Sequence, residues 1–331
     1  MPDPSSTCRV GIVGAGNISR LHLEAMARHP DRARCVALCD VDPGALDARG
    51  GEFGVRQTYL DLHEMIAEAD LDAAIVSTPT HVRSEVVLPL IEANVPVLCE
   101  KPFAETYAEA ARIERAARQA GVPVAVGQNF RRHFTFSIAR ELLAEGHLGR
   151  CRHVTQAACR LRRDTGWRLE RPRYVMAVMS IHWFDGYRCM LADEAESVYC
   201  RAVNSAATPG GDDTAVAVTI QFRGGAVVSL SESFSSFARA DCCCVDCDAG
   251  GLVLGYDHLE EVRADGRRIR HENPFDKPEA TFHVLDDLLA AAAAARPSET
   301  SAGDNLGSVR IMEAAYRSLA TGRAVGLEEI E

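Results

Sequence analysis

Apolar and polar positions follow two different rhythms along this 331-residue chain, and the rhythm changes near Gly127. Before that point, short apolar runs at 8–13, 34–39, 73–77, 96–99 and 122–127 read as buried strands. Stretches of helical period at 17–28, 43–52, 81–93 and 106–120 separate them. Strands alternating with helices predict a parallel, doubly wound sheet. Asn94 and Gly121 stand where two of the helices should end in a left-handed residue. After Gly127 a helical stretch at 134–145 is followed by strand-like runs at 150–161, 197–204, 214–222, 226–233 and 241–247. Arg223-Gly224-Gly225 between two of these runs reads as a hairpin turn, so an antiparallel sheet is expected. Two helices, about 279–295 and 304–321, close the chain.

The pattern therefore predicts an α/β Rossmann domain over 1–127 and an α+β domain with an open, mainly antiparallel sheet over 128–331. The helix at about 304–321 is a candidate to pack back on the first domain. In strands 214–233, Val216, Val218 and Ile220 face one way and Ala215, Ala217 and Thr219 the other. Apolar residues on both faces would suit a sheet covered by a partner copy.

Charge and cysteine content narrow the class. A net charge of −11, with no large basic cluster, speaks against a nucleic-acid surface. Arg160, Arg162, Arg163, Arg168, Arg171 and Arg173 form a local exception, read either as a solvated loop or as an anion or polyol contact. Met1–Thr7 has neither the basic nor the apolar part of a signal peptide, and no apolar run is long enough to span a membrane. Twelve cysteines without a secretion signal fit free thiols in a cytoplasmic protein. Cys244 and Cys247 form a C-x-x-C, but no second pair stands at zinc-site spacing and the segment alternates like a strand.

Three motifs carry chemistry. Gly14-Ala15-Gly16-Asn17-Ile18-Ser19 follows the first strand and opens a helix, as a pyrophosphate-binding turn does. Gly14 permits the turn, Gly16 lets backbone approach the phosphates, and Asn17 and Ile18 start the helix. Asp40 ends the second strand, where a carboxylate accepts from both ribose hydroxyls and repels a 2′-phosphate, which favours NAD over NADP. Thr78-Pro79-Thr80-His81 follows another strand at the carboxyl edge; Thr80 could cap a helix, touch the cofactor, or both. Glu100-Lys101-Pro102 follows the strand at 96–99 and puts a lysine at the ligand-facing edge of the sheet.

These motifs, with Gly11–His22, Gly127-Gln128-Asn129-Phe130-Arg131-Arg132, Ile181-His182-Trp183-Phe184-Asp185 and Pro297–Leu306, resemble the glucose–fructose oxidoreductase, inositol dehydrogenase and rhizopine-catabolism (Gfo/Idh/MocA) family, in order over nearly the whole chain. The resemblance implies NAD(P)-linked oxidation or reduction at a carbinol of a sugar, cyclitol or related polyol. It implies homodimers or homotetramers assembled through the second domain's sheet, and a lysine, here Lys101, beside the nicotinamide. The proline after that lysine often follows a cis bond in such proteins.

The family's second catalytic element is D-x-G-x-H. Its histidine corresponds to His182, but Ser180 stands at the glycine and Val178 at the aspartate. A histidine suits proton transfer near neutral pH, and a lysine stabilises a developing alkoxide. The expected roles are His182 as acid/base and Lys101 as electrostatic stabiliser and relay partner. Asp185 would orient His182 or cap a structural network. Asn129, Arg131, Trp167 and Arg168 lie where the family's substrate contacts fall, with interdomain pairing and packing as their other reading. The expected activity is an NAD-dependent dehydrogenase. A reductase, a dihydrodiol-type dehydrogenase and an enzyme that keeps its dinucleotide bound through turnover use the same groups. A non-catalytic dinucleotide sensor is the rival from another class, and Val178 is its best support.

Overall fold

The computed structural model describes residues 7–208, 211–274 and 276–331, with the side chain of Arg168 outside the described set. Contacts divide the chain into two compact units. The first runs to Asn129 and takes in Asp276–Leu306; the second holds the intervening residues from Phe130 and Gly307–Glu331. The division falls close to the expected 127, but the helix Lys277–Ala294, inside the range expected for the second domain, groups with the first. Of the terminal helix Ala302–Thr321, only the residues through Leu306 do so.

In the first unit, β1 (Cys8–Val13), β2 (Ala33–Cys39), β3 (Gln57–Tyr59), β4 (Ala73–Val76), β5 (Val97–Cys99) and β6 (Val124–Val126) form one sheet in the order β3-β2-β1-β4-β5-β6. Every pairing in it is parallel. Such sheets are covered on both faces, and the central strands are accordingly apolar: β4 and β5 are wholly buried. The helices are α1 (Asn17–Ala27), α2 (Pro43–Phe53), α3 (Leu62–Glu68), α4 (Arg83–Glu92) and α5 (Tyr107–Ala120). The returning helix Lys277–Ala294 buries Phe282, Leu285, Leu288 and Leu289 at helical spacing in the core with Leu23, Leu38 and Ile75. Each such leucine contributes about 2 kcal/mol, which is why this late segment completes the first unit. The strand order reverses at β1 and β4, the topological switch where such sheets bind ligands.

The second unit begins with α6 (Phe130–His133) and α7 (Phe136–Ala144), then β7 (Cys151–Leu161). A π-helical turn, Met176–Ser180, leads into α8 (Ile181–Leu191). The remaining strands are β8 (Ala195–Val203), β9 (Ala215–Phe222), β10 (Val227–Ser233), β11 (Ser235–Cys247), β12 (Gly250–Leu254), β13 (His258–Arg263), β14 (Arg268–Glu272) and β15 (Val325–Gly326). They form a nine-stranded sheet, β14-β13-β12-β11-β7-β10-β9-β8-β15, antiparallel except for β10 beside β7. Val216, Val218, Ile220, Val228 and Leu230 are buried on one face. The other face presents Ala217, Thr219 and Ser231 to the exterior.

Candidate active site

The glycine turn after β1 is built as its residues require. Gly14 has φ +98°, and a side chain there would strike the backbone of Ser77 and Thr78 at 2.8–2.9 Å. Ser77 Oγ donates to Gly14 O at 2.7 Å, so the loops after β1 and β4 are joined. Gly16 is the N-cap of α1, with nothing within 4 Å of the place a side chain would fill. α1 has no acidic residue in its first turn to occupy its leading N–H groups. Asn17 is exposed and Ile18 half-buried there. Asp40 directly follows β2 and accepts from Ala15 N at 2.6 Å and from Asp42 N at 3.0 Å.

Thr80 is buried and opens a short 3₁₀ turn, Thr80–Val82. Neither that turn nor α4 has a side-chain cap, so of the two readings open for Thr80 the capping one is not met. His81 is exposed. Among the described residues Thr78 Oγ1 is buried and has no hydrogen-bond partner. The β4 loop is held by a residue that the sequence reading passed over. Arg83, 3 % exposed, donates to Thr78 O at 2.9 Å and also to Pro102 O. One guanidinium thus ties the loop after β4 to the loop that carries Lys101. A charged residue at the start of an amphipathic helix reads as surface, so nothing in the sequence marked it.

Glu100 is a buried carboxylate. His22 Nε2 lies 2.9 Å from its Oε1, and Lys101 N donates to its Oε2 at 3.1 Å. Burial opposes its charge, but His22, Lys101 and Arg83 prevail and hold the carboxyl down to about 2. The half-buried Lys101 thus stands at the carboxyl edge of the sheet on an anionic support, and its bond to Pro102 is cis.

In the second unit His182 is 4 % exposed on α8, its ring stacked on Phe130 at 4.1 Å between centroids. Val178 and Ser180 lie in the π-helical turn before it. The motif's aspartate and histidine positions therefore do not share one regular α-helical face. Asp185 accepts from Arg131 Nε and Nη2, each at 2.8 Å, and from Ser308 Oγ at 3.0 Å. Both residues are buried, which fits the packing reading of Arg131 and the structural-network reading of Asp185. Asn129, in the first unit, donates to Thr281 Oγ1 at 2.9 Å. Trp167 lies half-buried in the 3₁₀ turn Gly166–Glu170; Arg168 lies outside the described side chains. Of the basic run, Arg162 pairs with Asp164 at 2.8 Å and Arg173 with Glu313 at 2.9 Å.

Residues 8–128 match the profile of an oxidoreductase family with an NAD-binding Rossmann fold, and residues 136–253 match the C-terminal domain of the same Gfo/Idh/MocA family. The chain belongs to the Gfo/Idh/MocA oxidoreductases. It is 29% identical to a D-apiose dehydrogenase of Paraburkholderia graminis, over 97% of this chain and 90% of that protein. It is 26% identical to an inositol 2-dehydrogenase of Rhizobium meliloti, over 97% and 99%. A levoglucosan dehydrogenase solved with NADH and levoglucosan superposes with a TM-score of 0.88 at 20% identity, covering 97% of this chain and 99% of that one.

Two features of the first unit fit the dinucleotide of a Gfo/Idh/MocA enzyme. The space beside Gly16 is open where the pyrophosphate would approach the N-terminus of α1. The orphan Thr78 Oγ1 sits in the adjoining loop, able to bond a cofactor group.

Proposed function

We propose that this chain is an NAD-dependent dehydrogenase that moves hydride between nicotinamide and a carbinol of a sugar, cyclitol or related polyol. The observation that carries the reading is Lys101. It projects from the carboxyl edge of the same parallel sheet whose β1 and β4 loops form the dinucleotide turn, and its backbone is fixed by the buried Glu100. Bound NAD would supply the hydride acceptor. Gly14, Gly16, Asn17 and Ile18 would hold the pyrophosphate. Asp40 would accept from the ribose hydroxyls, with Val41 beside it 89% exposed as an apolar surface for the adenine. Thr78, Pro79, Thr80, His81 and Glu100 would shape the nicotinamide side.

Lys101 would stabilise the developing alkoxide, and His182 would take the hydroxyl proton. Trp167 and Asn129 remain candidates for hydroxyl recognition. Arg131 and Asp185 bind each other at 2.8 Å, so any part they take in substrate recognition would be taken as a pair. The exposed small side chains of β9 and β10 suit assembly of two or four copies through the sheet, which light scattering would test.

Purified protein with NAD and a panel of sugars, cyclitols and sugar acids tests the reading. NADH formation with one substrate class supports it. Val178 favours one other reading, a dinucleotide sensor without turnover. Tight NADH binding with no NADH formation on any member of the panel would select the sensor.

A further inference from the structure

A two-group acid/base site needs a carboxyl as well as His182, and Val178 supplies none. The second unit nevertheless holds a carboxyl against the segment that carries His182. Glu232, on β10, is 1 % exposed. Its Oε2 accepts from Ser180 Oγ at 2.5 Å and its Oε1 from Trp183 Nε1 at 3.1 Å. Ser180 and Trp183 flank His182 in the chain. Ser180 also stands where the family pattern has glycine. The segment that lacks its own carboxylate thus carries a hydroxyl that binds one from the sheet.

Both partners of Glu232 are neutral donors. Among the described residues, no arginine, lysine or histidine forms an ion pair with it. Arg160 of β7 and Arg162 just after it act on Glu232 through space. Tyr187 of α8 and Tyr256 after β12 also sense its charge, and Asp241 of β11 lies 4.0 Å from Arg160. A carboxyl without a counter-ion in such a place keeps its proton to higher pH. Burial pushes Glu232 up to about 7, against the pull of its two hydrogen bonds and the two arginines.

We propose that Glu232 is a positioning residue for His182: through Ser180 and Trp183 it fixes the turn that carries the imidazole, and its carboxylate charge favours the imidazolium formed when a substrate proton is taken up. Glu232 touches no reacting atom. In the oxidation the C–H pair leaves as hydride to NAD, the hydroxyl proton passes to the His182 ring, and the C=O bond forms. This role rests on the dehydrogenase reading, so one of its tests needs no substrate.

That test follows the ring titration of His182 by NMR, assigned with His182→Asn, in the wild-type chain and in Glu232→Gln. Glutamine keeps an acceptor for Trp183 and a donor for Ser180, so the fold survives. The midpoint falls by about half a unit or more in the variant if the charge reaches the ring. An unchanged midpoint overturns the proposal. The second test is the pH profile of kcat/KM for NAD reduction. Its acid limb moves to lower pH in Glu232→Gln, and by less in Ser180→Ala. A fall in rate with no displacement of the limb means a structural role alone and overturns the proposal. A shifted His182 titration with no turnover on any polyol supports the coupling and contradicts the dehydrogenase reading, so the two failures are distinct.

Discussion

His22 Nε2 meets Glu100 Oε1 at 2.9 Å in the interior of the first unit. The contact joins α1, the helix that begins at the glycine turn, to the residue that precedes Lys101. Two loops far apart in sequence are thereby set by one buried pair, with Arg83 bracing a third loop beside them.

Replacing His22 by Phe leaves the Glu100 carboxylate buried without its partner, at a cost of about 3 kcal/mol. Glu100 is held down to about 2 in the fold, below the value near ~4.3 of an unfolded glutamate. Its contribution is therefore complete above that unfolded value and is lost as the pH falls toward the folded one. Urea unfolding should show a wide gap between wild type and His22→Phe at neutral pH and a narrower gap in acid. Equal stability at neutral pH would contradict the pairing.

Asp40 braces the glycine turn, and in the proposed function its carboxylate would accept from the ribose. Asp40→Ala should weaken NAD binding by about tenfold or more, the worth of a hydrogen bond to a charged group. NADP binding should weaken less, because a repulsion disappears as well. Calorimetric titration of both cofactors checks the ratio; an unchanged preference would remove Asp40 from cofactor selection.

Arg83→Lys keeps the charge but loses the planar fork that reaches Thr78 O and Pro102 O together. The expected result is a fall of about tenfold in kcat/KM with NAD affinity nearly retained, and a larger fall in Arg83→Met. Unfolding should also shift, since each buried carbonyl left unpaired costs about 1–3 kcal/mol. Wild-type kinetics in Arg83→Met would show that the bridge between the loops is dispensable.

Much of this fold was legible because strong periodicity marks it. The strands at 8–13, 34–39, 73–77 and 150–161 are present close to their expected bounds. Asn94 and Gly121 adopt the left-handed conformations predicted for them, at φ 58° and 69°. β3 was missed because three residues, Gln57–Tyr59, carry no period. α3 was missed although Asp61 caps it, its side chain accepting from His63 N and Glu64 N. The strands after Gly250 were missed because β13 and β14 are rich in charge, whose pairing across strands, as of Arg268 with Glu260, appears only in three dimensions.

The site divides in the same way. Gly14, Asp40 and Lys101 announce themselves by their places after strands. Arg83, Glu232 and the Arg131–Asp185 pair do not, because each is defined by a partner distant in sequence. Val178 and His182 stand four apart, the spacing of one helical face, but the π-helical turn Met176–Ser180 breaks the regular repeat. That turn is backed by Asp213, which accepts from Tyr174 N at 2.7 Å and Met176 N at 3.0 Å, a constraint no local pattern reveals.

The most direct measurement compares wild-type protein with Lys101→Met on the best substrate of the polyol panel, following NADH formation, with NADH affinity measured in the same preparations. If Lys101 stabilises the alkoxide, kcat/KM falls by about a thousandfold while NADH affinity stays within about threefold. Turnover in Lys101→Met equal to wild type, with the cofactor bound, would contradict the assignment of Lys101 to the chemistry.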